Sequence, residues 1–148
     1  MNIKAQIEQD FLTAYKAKAE IKVSVLRLLK SAIANAEIAA KKELSDDEVV
    51  KILYKEIKQR EDSVSEYSKV GRKESADKEQ EEIDLIKPYL PAQLDDAEIE
   101  KIVDRVIAET GATSPKEMGL VMSRVMSEAG SGASGSTVSA IVKNKLLS

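Results

Sequence analysis

The stretch Lys87-Pro88-Tyr89-Leu90-Pro91-Ala92-Gln93-Leu94 decides how the chain divides. Two of the three prolines stand here, three residues apart. Each removes a backbone donor and drives its predecessor out of helical dihedrals, so no helix continues through. Tyr89, Leu90 and Leu94 are bulky and apolar, which a floppy linker does not need. Pro88, Tyr89, Leu90 and Pro91 are therefore expected to form a packed hinge that joins two helical modules, residues 1–91 and 92–148, at a fixed angle. Glycine usage changes across it: Gly71 is the one glycine in residues 1–87, and the other five follow residue 92.

Upstream of the hinge the apolar residues recur at helical spacing. Ile3, Ile7, Phe11 and Tyr15 step by four, and Leu26, Leu29, Ile33, Ala36 and Ala40 step by three and four. Each gives one sticky face that needs a partner. In Leu44-Ser45-Asp46-Asp47-Glu48-Val49, Ser45 can cap the amide of Glu48 while Glu48 reaches back, and Leu44 can staple onto Val49. A three-four stripe follows through Val50, Leu53, Ile57, Val64 and Tyr67, interrupted by Arg60, until Gly71 stops it. The charged run from Glu74 to Asp84 returns as a further helix, held late by Ile83, Ile86, Tyr89 and Leu90. The pattern predicts helices over about 2–18, 20–42, 46–70 and 75–87, the last two forming a long antiparallel hairpin that partly projects into water.

Downstream, Leu94-Asp95-Asp96-Ala97-Glu98-Ile99 repeats the same start signal, and Ile99, Ile102, Val103, Val106 and Ile107 line one face until Gly111. Ser114-Pro115-Lys116-Glu117 starts another helix with proline at the first helical position, where its missing donor is harmless. Met118, Val121, Met122, Val125 and Met126 form its apolar stripe. Gly130 to Ser136 reads as a flexible loop before a last helix carrying Val138, Ile141, Val142 and Leu146. The expected fold class is thus all-α: an N-terminal helical module with a long hairpin, then a small three-helix domain.

Composition narrows the chemistry. Apolar residues make up 43% of the chain and aromatics only 3%, so the core must be aliphatic, which suits helix packing. Cysteine and histidine are both absent. That removes disulfides, thiolate nucleophiles, Cys/His zinc sites and imidazole bases. No catalytic residue, cofactor or metal site is expected. With no apolar leader core and no run approaching the length of a membrane span, a soluble cytoplasmic protein with no membrane partner is expected. Lys and Arg number 23 against 26 Asp and Glu, a net charge of −3. Neither module has the basic balance that by itself marks a nucleic-acid binder, so any RNA contact must use a local stripe.

Three motifs carry less than their spelling suggests. Gly130-Ser131-Gly132-Ala133-Ser134-Gly135 spells G-x-G-x-x-G, but a dinucleotide fingerprint must follow a strand and open a helix, and no strand precedes it. Its small residues could still let a ligand or RNA backbone approach closely. Ser75-Ala76-Asp77-Lys78 spells S-x-x-K on a solvated charged helix, without the desolvated lysine such a nucleophile needs. The methionines at 118, 122 and 126 read as gap-filling core, with a partner surface as the sharper alternative. Lys51, Lys55 and Lys58 share one face, with Arg60 near its edge and Arg27 and Lys30 on the preceding helix. Such runs are usually solvated faces.

Taken together, Arg27-Leu28-Leu29-Lys30, Lys58-Gln59-Arg60-Glu61-Asp62-Ser63, Gly71-Arg72, Tyr89-Leu90-Pro91-Ala92-Gln93-Leu94, Gly111-Ala112-Thr113-Ser114 and Met118-Gly119 resemble the bacterial YqeY-like proteins, in order over essentially the whole chain. That family is similar in its C-terminal part to the tail domain of the B subunit of the tRNA-dependent amidotransferase, which converts Glu-tRNA(Gln) or Asp-tRNA(Asn) to the amidated form. The resemblance implies a two-module helical fold and an association with tRNA or with an aminoacyl-tRNA-modifying enzyme. Catalysis in the amidotransferase belongs to other domains, so a non-catalytic accessory module is expected. The candidate phosphate partners are Lys58, Arg60 and Arg72 on the hairpin and Arg124, Lys143 and Lys145 in the tail. Where the family tends to be basic around the last interhelical loop, this chain carries Leu120, Glu128, Gly130, Gly132 and Ser136. The alternatives are a protein-interaction adaptor without an RNA role, or a component of carbon–nitrogen ligase activity with glutamine as amido-nitrogen donor.

Overall fold

The computed structural model describes residues 2–147. Its regular elements are helices: α1 (Ile3–Lys16), α2 (Glu20–Ala40), α3 (Asp46–Lys69), α4 (Lys73–Ile86), α5 (Asp96–Thr110), α6 (Met118–Ala129) and α7 (Gly135–Leu147), with short 3₁₀ turns between some of them. No strand occurs among the described residues. The chain divides after Leu90 into two compact units, each with its own core.

In the first unit α1 packs on α2, α3 packs chiefly on α4, and α2 touches α3 and α4. The three-four stripes supply the core: Ile7, Val25, Leu26, Leu29, Ile33, Val49, Leu53, Ile83 and Ile86 are buried. The start of α3 is held as its residues dictate. The Glu48 amide donates to Ser45 Oγ at 3.2 Å, and the Ser45 amide donates to Glu48 Oε1 at 3.4 Å. Lys42 adds an ion pair to the same carboxylate at 3.1 Å; this pair first, and then the Ser45 bonds, hold Glu48 below the usual carboxylate range. Gly71 turns the chain with φ +75°, a left-handed value that a side chain disfavours; Arg72 follows outside helical dihedrals, and α4 starts at Lys73 rather than near residue 75.

Lys87–Tyr89 form a 3₁₀ turn with Pro88 near its start. Beyond it Tyr89 and Leu90 pack, half-buried, against the first core. The Tyr89 hydroxyl donates to Asp10 at 2.5 Å; burial first, and then this carboxylate, raise the phenol above its ordinary value.

In the second unit α5, α6 and α7 pack on one another around Ile99, Val103, Val106, Val121, Val125, Val138, Val142 and Leu146. Asp95 and Glu98 form a reciprocal capping box at the start of α5, and Gly111 closes that helix in the left-handed conformation. Leu94 and the stripe Met118, Met122 and Met126 are half-buried against this core.

Two local expectations need correction. Pro115 does open a turn, but of 3₁₀ type over Pro115–Glu117; the Glu117 carboxylate accepts from the Ser114 amide at 3.2 Å and from the Thr113 amide, tightening the turn, and α6 begins at Met118. The segment Gly130–Ser136 is not a free loop. Gly130–Gly132 form a 3₁₀ turn, the Leu94 amide donates to the Gly132 carbonyl at 2.8 Å, and α7 already begins at Gly135. Ser134 caps that helix, its hydroxyl accepting from the Thr137 amide at 3.3 Å.

Candidate nucleic-acid interface

Arg60 continues the apolar stripe of α3 through Leu53 and Ile57, so it points into the packing with α4 and is only 7% exposed. Its Nε donates to Glu82 at 3.1 Å, and its Nη1 donates to the Glu56 carboxylate at 2.9 Å and the Glu56 carbonyl at 3.0 Å. Desolvation works against the charge, yet the two carboxylates outweigh it and the guanidinium is held above its usual value. Buried, and with Nε and Nη1 bonded to Glu82, Glu56 and the backbone, Arg60 is poorly placed to meet an external phosphate. The expectation that it does so is corrected: Arg60 is a structural cation that ties α3 to α4.

The other candidates lie at the surface. Lys58 pairs with Asp62 at 3.2 Å, both more than half exposed, which is a weak and salt-labile tie. Arg72, at the α3–α4 turn, holds its guanidinium carbon 5.6 Å from the centre of the Tyr67 ring. About three helical turns separate Lys58 from the end of α3, so these two do not form one cluster. In the second unit Arg124 approaches Glu109 at 3.9 Å and Lys145 approaches Asp104 at 3.3 Å, both acids being on α5. Lys143 is exposed on α7. Arg105 and Glu128 are bonded to each other.

A further cluster is not visible as a unit in the sequence. On α2, Lys30 places its ammonium 4.3 Å from the centre of the Phe11 ring, and Arg27 its guanidinium carbon at 5.7 Å. Tyr15 stands one turn beyond Phe11, ring centres 6.2 Å apart. The signal lies in two stripes: Arg27 and Lys30 three apart on α2, and Phe11 and Tyr15 four apart on α1. Only the pairing of the helices joins them.

Chemically these surfaces can bind anions and stacked rings; among the described residues no group of three or more carboxylates marks a metal site.

Among the described residues the chain forms seven α-helices, cored by aliphatic residues and carrying cations held over rings. Residues 4–146 match the family model described as Yqey-like protein, and the chain belongs to that family. It is 33% identical over 119 residues to "Altered inheritance of mitochondria protein 41, mitochondrial" of Vanderwaltozyma polyspora, covering 76% of this chain and 64% of the relative. The proteins of the same name from Lachancea thermotolerans and Saccharomyces cerevisiae are each 35% identical, over 75% and 71% of this chain. The chain spans 60% to 64% of the length of these curated relatives.

Those names overturn the expectation of a cytoplasmic protein, since the relatives are named as mitochondrial. The physical basis of that expectation is too narrow. A missing apolar core argues against a secretory leader, whereas mitochondrial import segments are amphipathic and rich in Arg and Ser.

Proposed function

We propose that this chain is a non-catalytic accessory module that engages tRNA, directly or together with a tRNA-amidating enzyme. Its N-terminal part serves as a helical module with a long antiparallel α3–α4 hairpin, and its C-terminal part as a small three-helix domain. The observation that carries the reading is Arg72 at the α3–α4 turn, exposed, held over Tyr67, and without a carboxylate in ion-pair distance among the described residues. A guanidinium stacked on a ring keeps its N–H edge free for phosphate. Lys58 on α3 and Arg124, Lys143 and Lys145 on α6 and α7 are the remaining phosphate partners. Family membership and the resemblance to the amidotransferase tail domain support the choice of tRNA. The total absence of Cys and His supports assigning any amidation chemistry to a partner.

Titrating the full chain with total cellular tRNA at low and moderate salt tests this. Binding that weakens with salt and drops on Arg72→Glu with Lys58→Glu supports the hairpin surface; loss on Arg124→Glu with Lys143→Glu places contact on the second unit. No binding even at low salt overturns the reading. A second reading, a protein-interaction adaptor, is favoured by exposed apolar side chains on α2, with Ile38 75% and Leu28 50% exposed. A stable protein partner that survives nuclease treatment of the complex would select it.

A further inference from the structure

We propose that the rim where α1 meets α2, built from Phe11, Tyr15, Arg27 and Lys30, is a stacking-and-phosphate site for a single-stranded nucleic-acid segment; this rests on the reading of the chain as an RNA-engaging module. Several cations of the first unit are already committed to carboxylates. Lys4 pairs with Glu37 at 2.7 Å on the same helix pair, and Arg60 holds two acids in the core. Arg27 and Lys30 do not: no carboxylate of the described residues lies within ion-pair distance of either, and both are set over the Phe11 face instead. A ring face steers a cation without neutralising it, so the N–H donors of both remain available to an anion.

Beside them stands a ring that the core does not enclose. Tyr15 is 62% exposed, in contrast to the half-buried Phe11 it leans on at an interplanar angle of 31°. An exposed ring 6.2 Å from the Phe11 ring over which two unneutralised cations are set offers a stacking face for a base beside donors for its phosphate, the pairing by which proteins hold single strands. A duplex fits the same surface poorly, because its bases are stacked on each other and present no face to Tyr15. The anion is thus a nucleotide phosphate within an unpaired loop or end. Glu8 and Glu37 lie with Lys30 along the adjoining groove and bring negative charge to that side of the site.

The test uses the full chain and three probes: a fluorescein-labelled ten-nucleotide oligo(A), the same strand paired into a duplex, and total tRNA. Expected results are preference for the single strand over the duplex, an affinity loss of about 10-fold for Tyr15→Ala, and a shallower salt slope, by about one per residue, for Arg27→Gln and Lys30→Gln. Because Tyr15 is exposed, its variant should melt with the parent protein, which separates lost binding from lost folding. If tRNA binds and the variants bind it and oligo(A) as the parent does, this site is wrong while the tRNA reading stands. If oligo(A) binds and depends on Tyr15 but tRNA does not bind, the site stands and the tRNA reading falls. Failure of every probe sinks both. Binding to phosphatidylserine vesicles that depends on Arg27 and Lys30, with none to oligo(A), overturns the site in favour of a lipid surface.

Discussion

Arg60 sets the residue scale because its environment fixes what it can do. One guanidinium faces two carboxylates, and the acids are less enclosed than the cation: side-chain exposure is 9% for Arg60 against 20% for Glu56 and 16% for Glu82. Removing Arg60 therefore leaves two partly buried carboxylates facing each other. Breaking a fully buried pair costs about 3–5 kcal/mol; here the acids can turn partly to water, and Arg60→Ala should destabilise by about 2 kcal/mol. Arg60→Met combined with Glu82→Gln should lose much less, because less uncompensated charge remains. Urea unfolding of the two variants checks the difference, and equal losses would mean that packing rather than charge sets the cost. Tyr89 makes a second residue-scale prediction. Its folded phenol ionises above its ordinary value, so the stability this adds is fully present below about pH 10 and falls as pH rises past it, where the unfolded tyrosine ionises first. Tyr89→Phe should lose about 1 kcal/mol at neutral pH, since Asp10 is then left with the Gln6 amide alone, and should flatten the alkaline decline. Melts from neutral pH to about pH 11 measure both parts.

At the scale of elements, signals that close within one turn are legible in the sequence and those that close across the fold are not. The Ser45–Glu48 and Asp95–Glu98 boxes lie three residues apart and can be read from order alone. Gly111 closing α5 is equally local. Arg60 shows in the sequence only as a break in a stripe, because its partner Glu82 is 22 residues on and the sign of its environment depends on α4. The segment 130–136 reads as loose because small residues have high freedom; the bond that orders it comes from Leu94, which no local window contains. The same distance hides the cluster of Phe11 with Arg27 and Lys30. Two glycines turn this into a prediction. Gly119 sits in the first turn of α6, and a methyl added there would meet nothing within 4 Å, so Gly119→Ala should stabilise by about 0.5–1 kcal/mol through helix propensity. At Gly132 the same methyl would meet Leu94 Cγ at 3.3 Å and the Ala92 carbonyl at 3.4 Å, so Gly132→Ala should lower the melting temperature. A rise there would show that Leu94 gives way.

For the whole molecule the charge pattern limits how binding can respond to salt. The chain carries net −3, so its overall field repels a polyanion, and contact must come from local groups. Apart from Lys143, which is exposed on α7, the candidate groups fall into two kinds. Lys58, Arg124 and Lys145 already face carboxylates, and a phosphate reaching them must displace an acid, which offsets much of its gain. Arg27, Lys30 and Arg72 face rings and can accept phosphate with nothing to displace. If these three carry tRNA binding, each neutralised phosphate contributes a little under one to the slope of log affinity against log salt, and the full chain should show a slope between about −2 and −3. Affinity would then fall by about 15- to 60-fold between about 50 and 200 mM salt, a range that filter binding or anisotropy resolves easily. The triple variant Arg27→Gln, Lys30→Gln, Arg72→Gln should bring the slope close to zero. A parent slope near about −6 would show instead that the lysines along α3, Lys51, Lys55 and Lys58, are recruited as a line, making the helix face rather than the aromatic-held cations the contact surface.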